Sequence, residues 1–244
     1  MIHEIHHHCG VGIIESEKTQ EFLFQVYDNT FPTVIYRGRI NLIGGNHNPN
    51  DLSPKYLFER EIKEEFSITE KEEGWDSTLT DVVGEGSGPE KITKFASQSD
   101  MASIKDAVLQ CQPFKDFVLN IPSIQNKPIY DVIYSVFSST IPQDVFELAR
   151  KNILEEKSIK NEGLATIKTI EEIVAGNPLP VAGTGIALEH YLAHKYGFHV
   201  KIPNPEGINS MVIGMPRASF KAYLNEFHYS KAVKSINYLT LFTL

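Results

Sequence analysis

Hydrophobic and polar positions change period along the chain, and each change predicts an element. Gly10-Val-Gly-Ile-Ile14 and Glu21-Phe-Leu-Phe-Gln-Val-Tyr27 are β-rich runs separated by the charged, turn-like stretch from Glu15 to Gln20. That arrangement predicts a hairpin with a rather long loop. Val34-Ile-Tyr-Arg-Gly-Arg-Ile-Asn-Leu-Ile43 predicts a further strand ending at Gly44-Gly45. Its period-2 alternation would set Arg37, Arg39 and Asn41 on one face and Ile40 and Leu42 on the other. After a polar loop, Ser53-Pro54 supplies an N-cap and a first-turn proline. Leu57, Phe58, Ile62 and Phe66 then share one stripe, which predicts an amphipathic helix from Ser53 to about Phe66.

From 70 to 127 the pattern weakens. Residues 72–90 are acidic and then glycine-rich, and short helices are expected at 100–109 and 113–119. This stretch reads as an inserted subdomain or flap. A strand is predicted at 129–137, a helix at 143–156, a strand at 164–170 with a short helix after it, and a helix at 184–196; residues 197–244 read as a C-terminal extension. Strands and helices of these lengths suit an α/β fold, in a chain long enough for one large domain or two small ones.

Composition narrows the partners. The 244 residues include 23 Lys and Arg against 31 Asp and Glu, for a net charge of −8. Such a chain lacks the basic patches with which polynucleotide binders displace counterions, so no polynucleotide partner is expected. A small anionic ligand stays compatible, because a bound cation reverses the local field. Only two cysteines occur, Cys9 and Cys111, which excludes a disulfide framework and suits a reducing compartment. No apolar run reaches the length of about 18 residues that a membrane span needs. The N-terminus lacks the basic start and apolar run of a signal peptide, so a cytoplasmic location is expected.

The sharpest chemical feature is Arg60-Glu61-Ile62-Lys63-Glu64-Glu65-Phe66-Ser67-Ile68 on the predicted helix. Glu61, Glu64 and Glu65 at i, i+3 and i+4 lie near one face, where like charges cost a few tenths of a kcal/mol per pair. A hard divalent cation would compensate them, since Mg²⁺ takes carboxylate oxygens, water and substrate phosphates. A solvated acidic face, helped by Glu59 and Lys63, is the plain alternative.

A Gly-Gly turn, a loop, a capped helix and this motif together resemble the Nudix hydrolase family. The family's box runs Gly, five residues, Glu, seven residues, Arg-Glu-hydrophobic-x-Glu-Glu-x-Gly-hydrophobic. The second half matches from Arg60 to Ile68, with Ser67 in place of the last glycine. In the first half, Leu52 falls where the box has its first Glu and Asn46 where it has Gly. A loop one residue longer would restore Gly45 and give Asp51 the acidic role.

The resemblance implies a Nudix-like α/β/α sandwich with a mixed sheet, a single domain over 1–244 enlarged by a helical insertion at 70–127. It implies a divalent-metal-dependent hydrolase that cleaves the pyrophosphate of a nucleoside diphosphate derivative, a small-molecule substrate, and room for a homodimer. Mg²⁺ or Mn²⁺ would be held by Glu61, Glu64 and Glu65 with the Gly45 carbonyl. Glu162, in the loop before a late strand, would add an acidic ligand, while Glu171 and Glu172 read as ordinary first-turn acids. Glu61 or Glu64 would act on the attacking water, and Arg60 would orient a glutamate. Arg37 and Arg39 would pair with phosphate, or else be ordinary surface arginines. The departures at Leu52 and Ser67 keep open a second reading, a nucleotide-binding or regulatory module of the same fold with weakened catalysis.

Other motifs carry less. His190 and His194 have a metal-compatible i,i+4 spacing but no third ligand, so a helix surface is expected. The run containing His3, His6, His7 and His8 sits too near the terminus to count as a built site. Gly183-Thr-Gly185 lacks the third glycine of a dinucleotide fingerprint and reads as a loop before a helix; Gly84 to Gly88 lacks the Lys-Ser/Thr of a phosphate loop and reads as a tether. Trp75 suits local packing in the insertion, or stacking on a base. Cys9 and Cys111 read as buried structural thiols.

Overall fold

The computed structural model describes residues 5–27, 31, 34–48, 50–66, 98–121, 130–154, 164–205 and 207–214. Eight strands and five helices occur among them: β1 (Ile5–Ser16), β2 (Glu21–Val26), β3 (Ile40–Asn41), β4 (Ile43–Asn46), α1 (Pro54–Glu65), α2 (Gln98–Leu109), β5 (Gln112–Ile121), β6 (Tyr130–Ile141), α3 (Gln143–Leu154), β7 (Leu164–Thr169), α4 (Ile170–Ala175), α5 (Ala182–Tyr196) and β8 (Asn209–Gly214). The strands form one mixed sheet ordered β3-β2-β1-β6-β5-β8, with β4 also paired to β1 and β7 to β2. β1 and β6 run parallel, with Gly10 opposite Ser135 and Gly12 opposite Phe137, and the remaining pairs are antiparallel. The architecture is therefore α/β with a mixed sheet. No helix among the described residues is long and apolar enough to cross a membrane.

Alternation along β1 gives the sheet two covered faces. Val11 and Ile13 join Phe22, Phe24, Phe117 and Val136 under Leu188, Tyr191 and Leu192 of α5. On the other face Ile14, Leu23, Ile43 and Phe137 pack beneath Phe58 and Ile62 of α1, Met101, Ile104 and Val108 of α2, and Phe146 of α3. Full burial of each such side chain contributes about 1.5–3 kcal/mol, so both faces carry a core of their own. Helix α1 reaches β1 directly because that strand offers glycines on this face. A Cβ on Gly10 would lie 2.5 Å from Leu57, and one on Gly12 would lie 2.5 Å from the Phe58 ring. The space goes to Phe58, which stacks on Phe137 with ring centroids 5.0 Å apart.

Several expectations need correction. Residues 113–119 are not helical: they lie in strand β5, inside the sheet between β6 and β8. A register shift between Pro113 and Lys115 turns both Phe114 and Phe117 toward α5, so a bulged strand imitates helical spacing. The described part of 70–127 thus belongs to the main body, with α2 packed on one face and β5 hydrogen-bonded into the sheet. Within 197–244, residues 209–214 form β8 along β5. The stretch 34–43 is broken rather than one strand: a 3-10 turn spans Val34–Tyr36, Gly38 turns the chain at φ 76°, and only Ile40–Asn41 forms β3. Gly183 and Gly185 lie in the first turn of α5, not in a loop before it.

Candidate functional site

The site is assembled where β4 passes into α1. Gly44 takes φ 143°, and a Cβ there would meet the Gly10 carbonyl oxygen at 2.2 Å. Both the backbone and the neighbouring strand therefore require glycine. The Gly44-Gly45 pair lies within strand β4, opposite Val11 and Gly10, rather than in a turn. Asn46 opposes Cys9, whose thiol donates to the Asn46 Oδ1 at 3.1 Å. Cys9 is half-buried, and burial, with secondarily the negative charge of Glu61, pushes its thiol up to about 12. Cys111 is buried beside α2.

The loop that follows is folded by its own side chains. Asp51 accepts from the Asn48 backbone N–H at 2.8 Å, and Asn48 accepts from the Asn50 N–H at 2.8 Å. Ser53 caps α1 by accepting from the Tyr56 N–H at 3.0 Å. This geometry hands Asp51, whose side chain is fully buried, to Arg60.

Arg60 is the hub. Its Nε donates to Asp51 Oδ1 at 2.9 Å, and its Nη2 to Asp51 Oδ2 at 3.1 Å and to the Asn46 carbonyl at 2.9 Å. The same guanidinium pairs with Glu61 at 2.7 Å and, through Nη1, with Glu64 at 3.0 Å. Burial pushes the Asp51 carboxyl up, but the Arg60 hydrogen bonds and charge and the Asn48 N–H outweigh it and hold it below its usual 3.8. The Asp51 hydrogen bonds, with help from Glu61, raise Arg60 above an ordinary guanidinium. His47, next in the loop, is pushed below its usual range by burial.

The three glutamates are not equivalent. Glu61 is half-buried, and its carboxylate lies where a Gly45 Cβ would be, 2.3 Å from that position. Glu64 is exposed, and Glu65 is buried at 7% exposure beside the core end of α1. Glu61 and Glu64 are thus drawn together by Arg60, while Glu65 turns further inward. No three His, Cys, Asp or Glu side chains among the described residues stand close enough to hold a metal ion as arranged.

Arg37 and Arg39 do not share a strand face. Arg37 is exposed in the turn after Tyr36 and donates to the Phe31 carbonyl at 2.8 Å, and Arg39 lies over the Tyr36 ring at 6.0 Å. Glu162, Ser67, Trp75 and the Gly84–Gly88 stretch lie outside the described residues. Glu172 completes a capping box with Thr169 and pairs with Lys168 at 2.9 Å, as expected of a first-turn acid. His190 and His194 rest on Phe117 and Phe114.

Sequence reasoning missed two features. Asn46 receives Arg60 on its carbonyl and Cys9 on its side chain, and its place as the first residue after Gly-Gly was the available signal. The fully buried Glu15 accepts from Tyr191 at 2.6 Å, from Lys195 at 2.6 Å and from Tyr196. No local signal marks Glu15, because its partners lie more than 170 residues away. No protein-family model matches the chain, and none of the characterised proteins compared with it is significantly similar.

Proposed function

We propose that the chain carries a Nudix-type α/β/α fold and acts as a divalent-metal-dependent hydrolase on the pyrophosphate of a small nucleoside diphosphate derivative. One observation carries the reading: Glu61 is seated on the bare backbone of Gly45 while a single guanidinium, anchored on Asp51, gathers Glu61 and Glu64 around it. Asp51 supplies the acid that Leu52 cannot, since Leu52 points to solvent at 73% exposure. On this reading the loop is one residue longer than the family pattern and gives Asp51 the acidic role.

The residues present suit Mg²⁺ or Mn²⁺. The Glu61 carboxylate already lies against Gly45, where any Cβ would collide with it, and the donors there are hard oxygens. Glu61 and Glu64 would hold the ion, with the Gly45 carbonyl beside them and Glu65 behind. The bound ion would neutralise charge developing on the phosphate oxygens and lower the pKa of water. Arg60 fixes the Glu61 carboxylate over Gly45, so the carboxylate that orients or deprotonates the attacking water is held before substrate arrives. Asp51 and the Asn46 carbonyl fix Arg60 in turn.

Incubation with Mg²⁺ and a panel of nucleotide sugars, dinucleoside polyphosphates, ADP-ribose and damaged nucleotides tests the reading. Turnover of at least one, reduced roughly 100-fold or more by Glu61→Gln and Glu64→Gln, is the expected result. No turnover anywhere, or turnover indifferent to both substitutions, overturns it. The engagement of Glu61 and Glu64 by Arg60 favours one other reading, a binding module of the same fold without turnover. Ligand-dependent stabilisation without product would mark that case.

A further inference from the structure

Helix α5, 15 residues long, opens without a side-chain cap, because its N-cap Val181 carries no acceptor. The first-turn N–H groups of Ala182, Gly183 and Thr184 therefore meet no acceptor among the described residues. Gly183 is half-buried and brings this turn close to the sheet: a Cβ there would lie 2.9 Å from Leu119 Cδ1 and 3.3 Å from Tyr134 Cζ, the carbon that bears the hydroxyl. Tyr134 is only 6% exposed, and its hydroxyl makes no hydrogen bond. The Thr184 hydroxyl beside it is already committed, donating to Asn41 Oδ1 at 2.8 Å and accepting from the Leu42 N–H at 3.0 Å. Burial pushes the Tyr134 phenol up, against a smaller downward pull from Thr184, so it stands as a neutral donor.

We infer that the N-terminus of α5 is a binding site for a phosphate group, with the Tyr134 hydroxyl and the first-turn N–H groups as its donors. A buried hydroxyl left unpaired is unfavourable, and here it lies against a helix end that presents further unpaired donors. The positive end of the helix dipole favours an anion at that point. A phosphate has oxygens in several directions, so it accepts from the phenol and from the backbone together. Gly183 keeps the place open, since any side chain there would fill it. The site lies on the face of the sheet under α5, opposite the face covered by α1, and does not rest on the hydrolase reading.

Titration of the full chain with inorganic phosphate, followed by the amide resonances of Ala182, Gly183 and Thr184, tests this without an activity assay. Chloride and acetate at the same ionic strength serve as controls. Phosphate is expected to shift these amides in the millimolar range or below, and Tyr134→Phe is expected to weaken its binding roughly tenfold, the loss of one hydrogen bond to a charged group. Gly183→Ala is expected to abolish it. Tyr134→Phe removes an unpaired hydroxyl and nothing else, so its denaturation midpoint is expected to equal or exceed that of the parent.

Absence of any shift at these amides overturns the inference. So does equal binding of phosphate by the parent and Tyr134→Phe, or equal binding of chloride or acetate, since a bare helix end would behave that way. A lowered midpoint in Tyr134→Phe would show that the hydroxyl is paired within the fold, which overturns it as well. Hydrolysis of a pyrophosphate substrate without phosphate binding at α5 leaves the proposed function standing and removes this inference alone.

Discussion

Asp51 and Leu52 are adjacent in sequence and opposite in consequence. Asp51→Ala removes the fork under Arg60 and leaves a part-buried guanidinium short of its main partner, so a loss of about 2–3 kcal/mol is expected in urea denaturation. Leu52→Ala, at a solvent-facing position, is expected to change stability by less than about 0.5 kcal/mol. The Asp51 carboxyl is depressed in the folded state, so its contribution is fully present above its unfolded pKa, near 3.8, and fades as pH falls through the lower folded value. A stability–pH profile of Asp51→Asn should therefore lack that part of the acid loss shown by the parent. Gly45→Ala is the complementary test. Its methyl group first meets the flexible end of Glu61, so the fold should survive. The displaced carboxylate is expected to lower hydrolysis roughly 100-fold.

At the scale of elements, α1 was legible almost to the residue. Ser53, Pro54 and the stripe of Leu57, Phe58 and Ile62 encode a capped amphipathic helix locally, and the helix runs Pro54–Glu65 with Ser53 as its cap. Ser53→Ala is expected to cost about 1 kcal/mol of unfolding free energy. What the helix packs on was not legible. Gly10 and Gly12 read only as part of a β-rich run, whereas their missing side chains are the floor on which Leu57 and Phe58 sit. Gly12→Ala pushes against the Phe58 ring and is expected to destabilise by about 1–3 kcal/mol by overpacking, measured by the same denaturation. Strand β5 failed for a related reason. Its bulge breaks the period-2 alternation that marks strands, and only pairing with β6 and β8 fixes it as one. The run through Arg37 and Arg39 failed because Gly38 interrupts it with a turn.

At the scale of the whole molecule, Glu15 joins the end of β1 to the last turns of α5. Tyr191, Lys195 and Tyr196 surround a carboxylate with no exposure of its own. Glu15→Ala leaves those donors without their common acceptor and is expected to cost about 3 kcal/mol or more, seen as a lower denaturation midpoint with no change in Mn²⁺ affinity at Glu61 and Glu64. By itself the sequence determined the α/β class and the α1 helix with its cap, because these depend on periodicity and spacing within a few residues. Only tertiary structure decided that Asp51 rather than Leu52 meets Arg60, that Glu65 turns inward, and that β1 and β6 run parallel with residues more than 100 positions apart opposite one another. Those outcomes depend on which backbones approach closely enough to exclude a side chain or to bury a charge, and such distances are set by packing across the sheet rather than by order along the chain.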